Sequence, residues 1–238
     1  MGYKLTWVYI GQTKVRPKGW TPWANTVAYW KFDSNLTDEM GEYDWTNRWS
    51  STITYETLPW DASAKYMKIT SWSDAWVQVP NTIWLEWGTQ QTSFTWATFL
   101  KLTNNAFTIY IEGWGSWCVN QIGYGVQDWQ NSLYLGTWNS GFQTNPYTYT
   151  LSTDVWHSVV WAYDHTTRTK SYYVDWVLIW NTTATNNYNT TSSLSKAILG
   201  RASNNLCISN MVLETNTVWD ATTVQLFHNT FKSLYGLS

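Results

Sequence analysis

The chain has 238 residues, with 14 Lys plus Arg against 16 Asp plus Glu and a formal net charge of −2. That balance gives no electrostatic reason to expect nucleic acid or an anionic membrane as partner. No run of about 18 apolar residues offers a membrane span, so membrane insertion is not expected. The length fits one large β domain or two small ones.

Residues 1–25 read as a short β appendage and a linker. "LTWVYIG" and "TKVR" have strand character on either side of Gly11-Gln12, and "PKGWTPWAN" carries two prolines. The first twenty residues lack the uninterrupted apolar core of a signal peptide, so export by that route is not expected from them. The main domain is expected over 26–238. Short β-rich runs recur there with turn signals between them, at 27–32, 52–55, 66–69, 76–79, 93–102, 107–112, 132–135, 155–163, 169–174, 177–180, 197–199 and 206–213. Repeated short strands without alternating helices indicate an antiparallel sandwich or barrel. "HSVVWAYD" is apolar on both alternating faces and reads as a central strand. "NTTATNNYNTTSSLS", 181–195, is a polar loop. One helix is expected near the end: Asp220 can N-cap a segment with Val224, Phe227, His228 and Phe231 at helical spacing.

Cys118 and Cys207 are too few for a disulfide framework and form no zinc-type cluster with the histidines. Two separate thiols or one disulfide both fit.

Tryptophan is the anomaly, at 21 residues against 13 glycines. "SYYVDWVLIW", 171–180, is laid out as a tight hairpin with Asp175-Trp176 at its turn, where Asp-Gly or Asn-Gly is usual. The chain contains no Asp-Gly or Asn-Gly, but Asp-Trp occurs at 44–45, 128–129 and 175–176. Other tryptophans sit among turn formers, in "NRWSS", "LPWDAS", "TSWSDAW" and "TVWDATT". A bulky residue in left-handed backbone costs on the order of 1–2 kcal/mol. Two readings compete. The tryptophans are sugar-stacking platforms, or many are glycines in an organism that reads UGA as glycine. Trp30 in "VAYWKF" and Trp156 in "VWHSVV" fit strand patterns and read as ordinary core residues.

Three stretches carry a family likeness. "VAYWKFDSNLTDEMG" (27–41) resembles the opening strand of bacterial laminin G-like domains. "WHSVVWAYDHTTRTKSYYVDWVLI" (156–179) resembles their central hairpin pair, with Asp-Trp where the family has Asp-Gly. "ILGRASNNLCISNMVLETNTVWDATTVQLFH" (198–228) resembles their closing strands and terminal helix. The resemblance implies a two-sheet antiparallel jelly-roll sandwich of the concanavalin A-like class, all-β with one short C-terminal helix. It implies a non-catalytic binding module for a glycan or a surface protein. The expected setting is extracellular, at a cell or virion surface, within a longer or multimeric assembly. A purely structural or adhesive domain is the alternative.

Glucanases of this fold carry E-x-D-x-x-E along a strand, placing carboxylates on one face. No such run occurs, and "DEMGEYD" (38–44) reads as a solvated turn, so hydrolysis is the least favoured reading. His157 reads as a structural strand histidine, His165 as a turn residue and His228 as part of the helix stripe. No Ser-His-Asp motif is visible in the sequence. Calcium is a candidate cofactor by the resemblance, with Asp33, Asp38 and Asp164 as its ligands, although turn capping accounts for all three. For a glycan, an aromatic face plus amides and acids is required. Tyr124, Trp129, Tyr147 and Tyr149 lie in loop-like stretches, and "YGVQDWQNS" (124–132) offers Tyr124, Gln127, Asp128, Trp129 and Asn131 as the ligand-binding set.

Overall fold

The computed structural model describes residues 9–10, 13–14, 23–41, 43–48, 52–70, 76–80, 93–103, 109–115, 118–127, 130–138, 147–184, 196–199 and 206–237. The chain is an antiparallel β-sandwich. The strands are β1 Tyr9–Ile10, β2 Thr13–Lys14, β3 Thr26–Trp30, β4 Thr46–Arg48, β5 Thr52–Leu58, β6 Asp61–Thr70, β7 Trp76–Pro80, β8 Phe94–Leu102 and β9 Ile109–Gly115. They continue with β10 Cys118–Gln127, β11 Gln130–Trp138, β12 Tyr147–Thr148, β13 Trp156–Asp164, β14 Thr169–Val174, β15 Val177–Thr183, β16 Lys196–Leu199 and β17 Leu206–Thr215. Helix α1, Ala221–Phe231, follows, and a 3-10 turn at Lys232–Leu234 comes after it.

One sheet runs β12-β11-β10-β9-β16-β7-β4 and the other β15-β14-β13-β8-β17-β6-β5, with β3 added against β17. β1 and β2 form a separate two-stranded pair. β17 serves two partners in turn. Its start, Leu206–Ile208, pairs with β6, and its end, Met211–Glu214, pairs with β3. The register shifts between Ser209 and Val212, where Asn210 takes a left-handed φ of 51°. Asn tolerates that backbone better than most residues. Its buried amide accepts from Tyr29 Oη at 2.7 Å and donates to Tyr235 Oη.

β13 is covered on both faces, which explains its unbroken apolar run. Val159, Trp161 and Tyr163 join the core between the sheets, with Trp30, Trp96, Met67, Leu133 and Leu213. Trp156 and Val160 point the other way, into a second core with Phe99, Val212 and the helix. There α1 lays down Val224, Phe227, His228 and Phe231, the stripe expected from the sequence. Asp220 caps it, accepting from Thr223 N at 2.8 Å. Tyr235 stacks on Phe99 at 4.4 Å and 14°.

Two expectations change, and one open question closes. The described residues of "YGVQDWQNS" are strand, not loop: Tyr124 and Gln127 lie on β10 and Asn131 on β11, in a hairpin paired from Val119↔Trp138 to Gln127↔Gln130. Glycines and amides made the stretch look like a loop, but β10 has a partner on each side and pairing overrides that composition. Trp45 and Trp219, flanked by turn formers, are core residues at 3% and 2% exposure. Trp45 packs edge-on against Trp30 at 5.5 Å, and Trp219 Nε1 donates to buried Glu214 at 2.7 Å. Cys207 is a buried free thiol, so it does not pair with Cys118; burial pushes its pKa up to about 11.

Candidate functional site

The two sheets end side by side at β12 and β15, and aromatic rings close the gap. Tyr147 on β12 stacks on Trp180 of β15 at 5.3 Å and 13°. Trp180 in turn stacks on Tyr172 of β14 at 5.3 Å and 18°. Tyr149 extends the row beyond Tyr147 at 6.5 Å and 20°. Tyr172 is buried, while Tyr147, Tyr149 and Trp180 are half-buried, so the row runs from the core to solvent. Thr148, Thr150, Asn181 and Thr183 are exposed along its margins.

The outer end of this row meets a polar cluster. The Tyr149 phenol has its pKa raised by burial first and then by the charges of Asp175 and Tyr147. Asp175 opens the β14–β15 turn. Its Oδ1 accepts from Ser158 N at 3.0 Å, and its Oδ2 pairs with His157 Nδ1 at 2.7 Å. Its own amide donates to Ser158 O at 2.9 Å. His157 Nε2 then meets Ser152 Oγ at 2.8 Å. A carboxylate acceptor places the proton on Nδ1, so neutral His157 accepts from the Ser152 hydroxyl. On the other side Ser158 Oγ lies 2.8 Å from His228 Nδ1, and burial is the main cause lowering the His228 pKa.

Ser152, His157 and Asp175 are therefore hydrogen-bonded in the order of a catalytic relay, an arrangement the sequence did not announce. Residue order hides it, because a loop residue, a strand residue and a hairpin tip converge only once β13, β14 and β15 pair. The cluster's evident work is structural. Asp175 ties the hairpin tip to β13 by three hydrogen bonds. It also leaves an exposed hydroxyl and a partly exposed carboxylate beside stacked rings, a suitable surface for a hydroxyl-rich ligand.

The other anticipated site residues are placed differently. The side chains of Tyr124, Gln127 and Asn131, and all of Asp128 and Trp129, lie outside the described residues. Asp38 is buried and builds the loop after β3: Oδ1 accepts from Tyr29 N at 2.8 Å and Met40 N at 3.0 Å, and Oδ2 from Tyr43 N at 3.1 Å. Asp33 in the same loop accepts from Ser34 Oγ at 3.1 Å. Asp164 ends β13 and caps its turn, accepting from Thr166 N and Thr167 Oγ1, each at 2.8 Å. Those bonds hold its pKa below the usual carboxylate value, against an opposing effect of burial that is the largest single influence. No group of three or more His, Cys, Asp or Glu able to hold a metal ion occurs among the described residues.

No known family and no curated protein matches the chain. Solved structures do match its fold. Domain 4 of AbnA, a GH43 extracellular arabinanase from Geobacillus stearothermophilus, in complex with arabinotriose, aligns at TM-score 0.65 and 15% identity, over 86% of this chain and 98% of that one. The binding domain of Paraclostridial Mosquitocidal Protein 1 aligns at TM-score 0.65 and 10% identity, over 90% of this chain and 55% of that one. A structure of botulinum neurotoxin type C, whose cell entry depends on interaction with two ganglioside molecules, aligns at TM-score 0.64 and 13% identity, over 87% and 51%. The chain thus spans about half the length of the two toxin structures. At these identities the likeness concerns the fold.

Proposed function

We propose that this chain is a non-catalytic recognition module that binds a glycan through the ring row at the β12–β15 edge. Tyr147, Tyr149 and Trp180 supply the face for the apolar side of a sugar. The exposed Ser152 hydroxyl and the partly exposed Asp175 carboxylate, both held in place by buried His157, supply polar partners for its hydroxyls. The observation that carries the reading is the half-exposed Tyr149–Tyr147–Trp180 stack at the edge of the sandwich. Support comes from neighbours of the same fold, one solved with arabinotriose and another whose cell entry depends on two ganglioside molecules. The laminin G-like likeness in sequence points the same way. The setting we infer is extracellular, on a cell or virion surface, with residues 1–25 acting as a connector to a longer assembly.

The test is a glycan array, run with and without calcium, followed by titration of the best ligand against Tyr147→Ala and Tyr149→Ala. Each substitution is expected to weaken binding roughly three- to tenfold while the melting transition is kept. A fluorophosphonate is expected to leave Ser152 unlabelled. Binding unchanged in both variants moves the site elsewhere. A silent array leaves the purely structural or adhesive reading in its place, and a signal lost on chelation brings calcium into the site.

A further inference from the structure

Two-residue connections between paired strands have demanding backbone geometry. The turns that match the twist of a hairpin need positive φ at the first central residue or at both, which is why glycine dominates them. Among the described strands such connections join β1 to β2, β5 to β6, β9 to β10, β10 to β11 and β14 to β15. Their closing pairs are Ile10↔Thr13, Leu58↔Asp61, Gly115↔Cys118, Gln127↔Gln130 and Val174↔Val177. The residues between them are Gly11-Gln12, Pro59-Trp60, Ser116-Trp117, Asp128-Trp129 and Asp175-Trp176. Four of the five thus carry Trp in the second position, and replacing Trp by Gly in each would give Pro-Gly, Ser-Gly, Asp-Gly and Asp-Gly, all ordinary turn dipeptides.

The β14–β15 turn shows what this means in backbone terms. Asp175 has φ 49° and Trp176 φ 65°, both left-handed. Most other described non-glycine residues with positive φ are Asp or Asn, which tolerate it. Two others are bulky: Arg168, exposed in the turn between β13 and β14 at φ 59°, and Phe32 at φ 56°, whose ring is 1% exposed and packs in the core beside Trp30 and Trp45. Trp176 has no such compensation, for its side chain stands 43% exposed at the tip. Nothing about the position asks for an indole, and its backbone asks for a residue without Cβ.

We infer that residues 117, 129 and 176 are glycines in the protein as its own cell makes it, each encoded by a UGA codon that the cell reads as glycine. Residues 117 and 129 lie outside the described residues and enter through the pairing of their neighbours. Trp60 is left out because its backbone is not left-handed, Pro59 having set the turn before it. Trp45, Trp219 and the strand tryptophans are left out because no hairpin turn falls on them. The aromatic surface of the molecule is then narrower than its composition suggests. The β10–β11 tip offers no indole to a ligand, and the ring row at the β12–β15 edge, which rests on Tyr147 and Tyr149, is untouched. The inference stands apart from the binding proposal, since it is read from codons and stability and not from a ligand.

Two measurements decide it. The gene is read at the three codons, and UGA at all three is expected; UGG at any one of them overturns the inference. The Trp chain is also compared with the triple variant Trp117→Gly, Trp129→Gly, Trp176→Gly by urea unfolding. The folding equilibrium constant is expected to rise on the order of tenfold per restored glycine. A triple variant no more stable than the Trp chain overturns the inference as well.

Discussion

Lys170 is a lysine on the wrong side of a sheet. It lies on β14 opposite Tyr163, at 1% exposure, and burial lowers its pKa to about 7. An unfolded lysine holds its proton to about 10.5. Between those two values the unfolded chain binds more protons than the folded one, so stability rises with pH across that window, and as pH falls it is lost progressively from about 10.5 down to about 7. Urea unfolding from pH 6.5 to 9.5 should show the rise in the native protein. Lys170→Met, which keeps the length without the charge, should be more stable at the acid end and flat across the range. Little at this scale was legible beforehand. Asp38 reads in the sequence as a candidate metal ligand, yet its carboxylate is committed to three backbone amides, and only the path of the loop after β3 reveals that. His157 reads correctly as structural, because a histidine inside an apolar strand needs a partner; that the partner is Asp175 follows from the hairpin.

Elements defined by local chemistry were legible. α1 announces itself by a capping aspartate and a 3.6-residue apolar period, and it forms where both predict. Asp220→Ala should cost about 1 kcal/mol, measured as a lowered denaturant midpoint, with Asp220→Asn losing much less. The β14–β15 hairpin was legible by the same logic, its strands and two-residue connection standing in the sequence despite the tryptophan. β10 was not. Its glycines and glutamines favour no element, and its strand character comes from neighbours on both sides. The ring row was hidden for a related reason. Tyr147 and Tyr149 could be picked out as exposed aromatics, but that they stack on Trp180 depends on which strands end each sheet.

At the scale of the molecule the two sheets are not equivalent. The sheet containing β13 and β8 is buried on one face by the opposite sheet and on the other by α1 and the residues after it. The terminal segment is therefore part of the core. Deleting 220–238 uncovers Phe99, Val160, Cys207 and Val212, an apolar face of the kind that drives association. The truncated chain should bind a hydrophobic dye strongly and elute as aggregate in size-exclusion chromatography; a monodisperse, dye-silent product would show that the helix is dispensable.

β17 binds β6 along its first half and β3 along its second, and it lies against β8 throughout. The opening strand of the domain therefore waits for β17, far along the chain, to be synthesised. On the ribosome, Thr26–Trp30 lacks its β17 partner until the chain has passed Glu214. Such late long-range closure makes for slow folding and a long interval of exposure to misassociation. The moment at which this sheet can close is thus set by the position of a single strand.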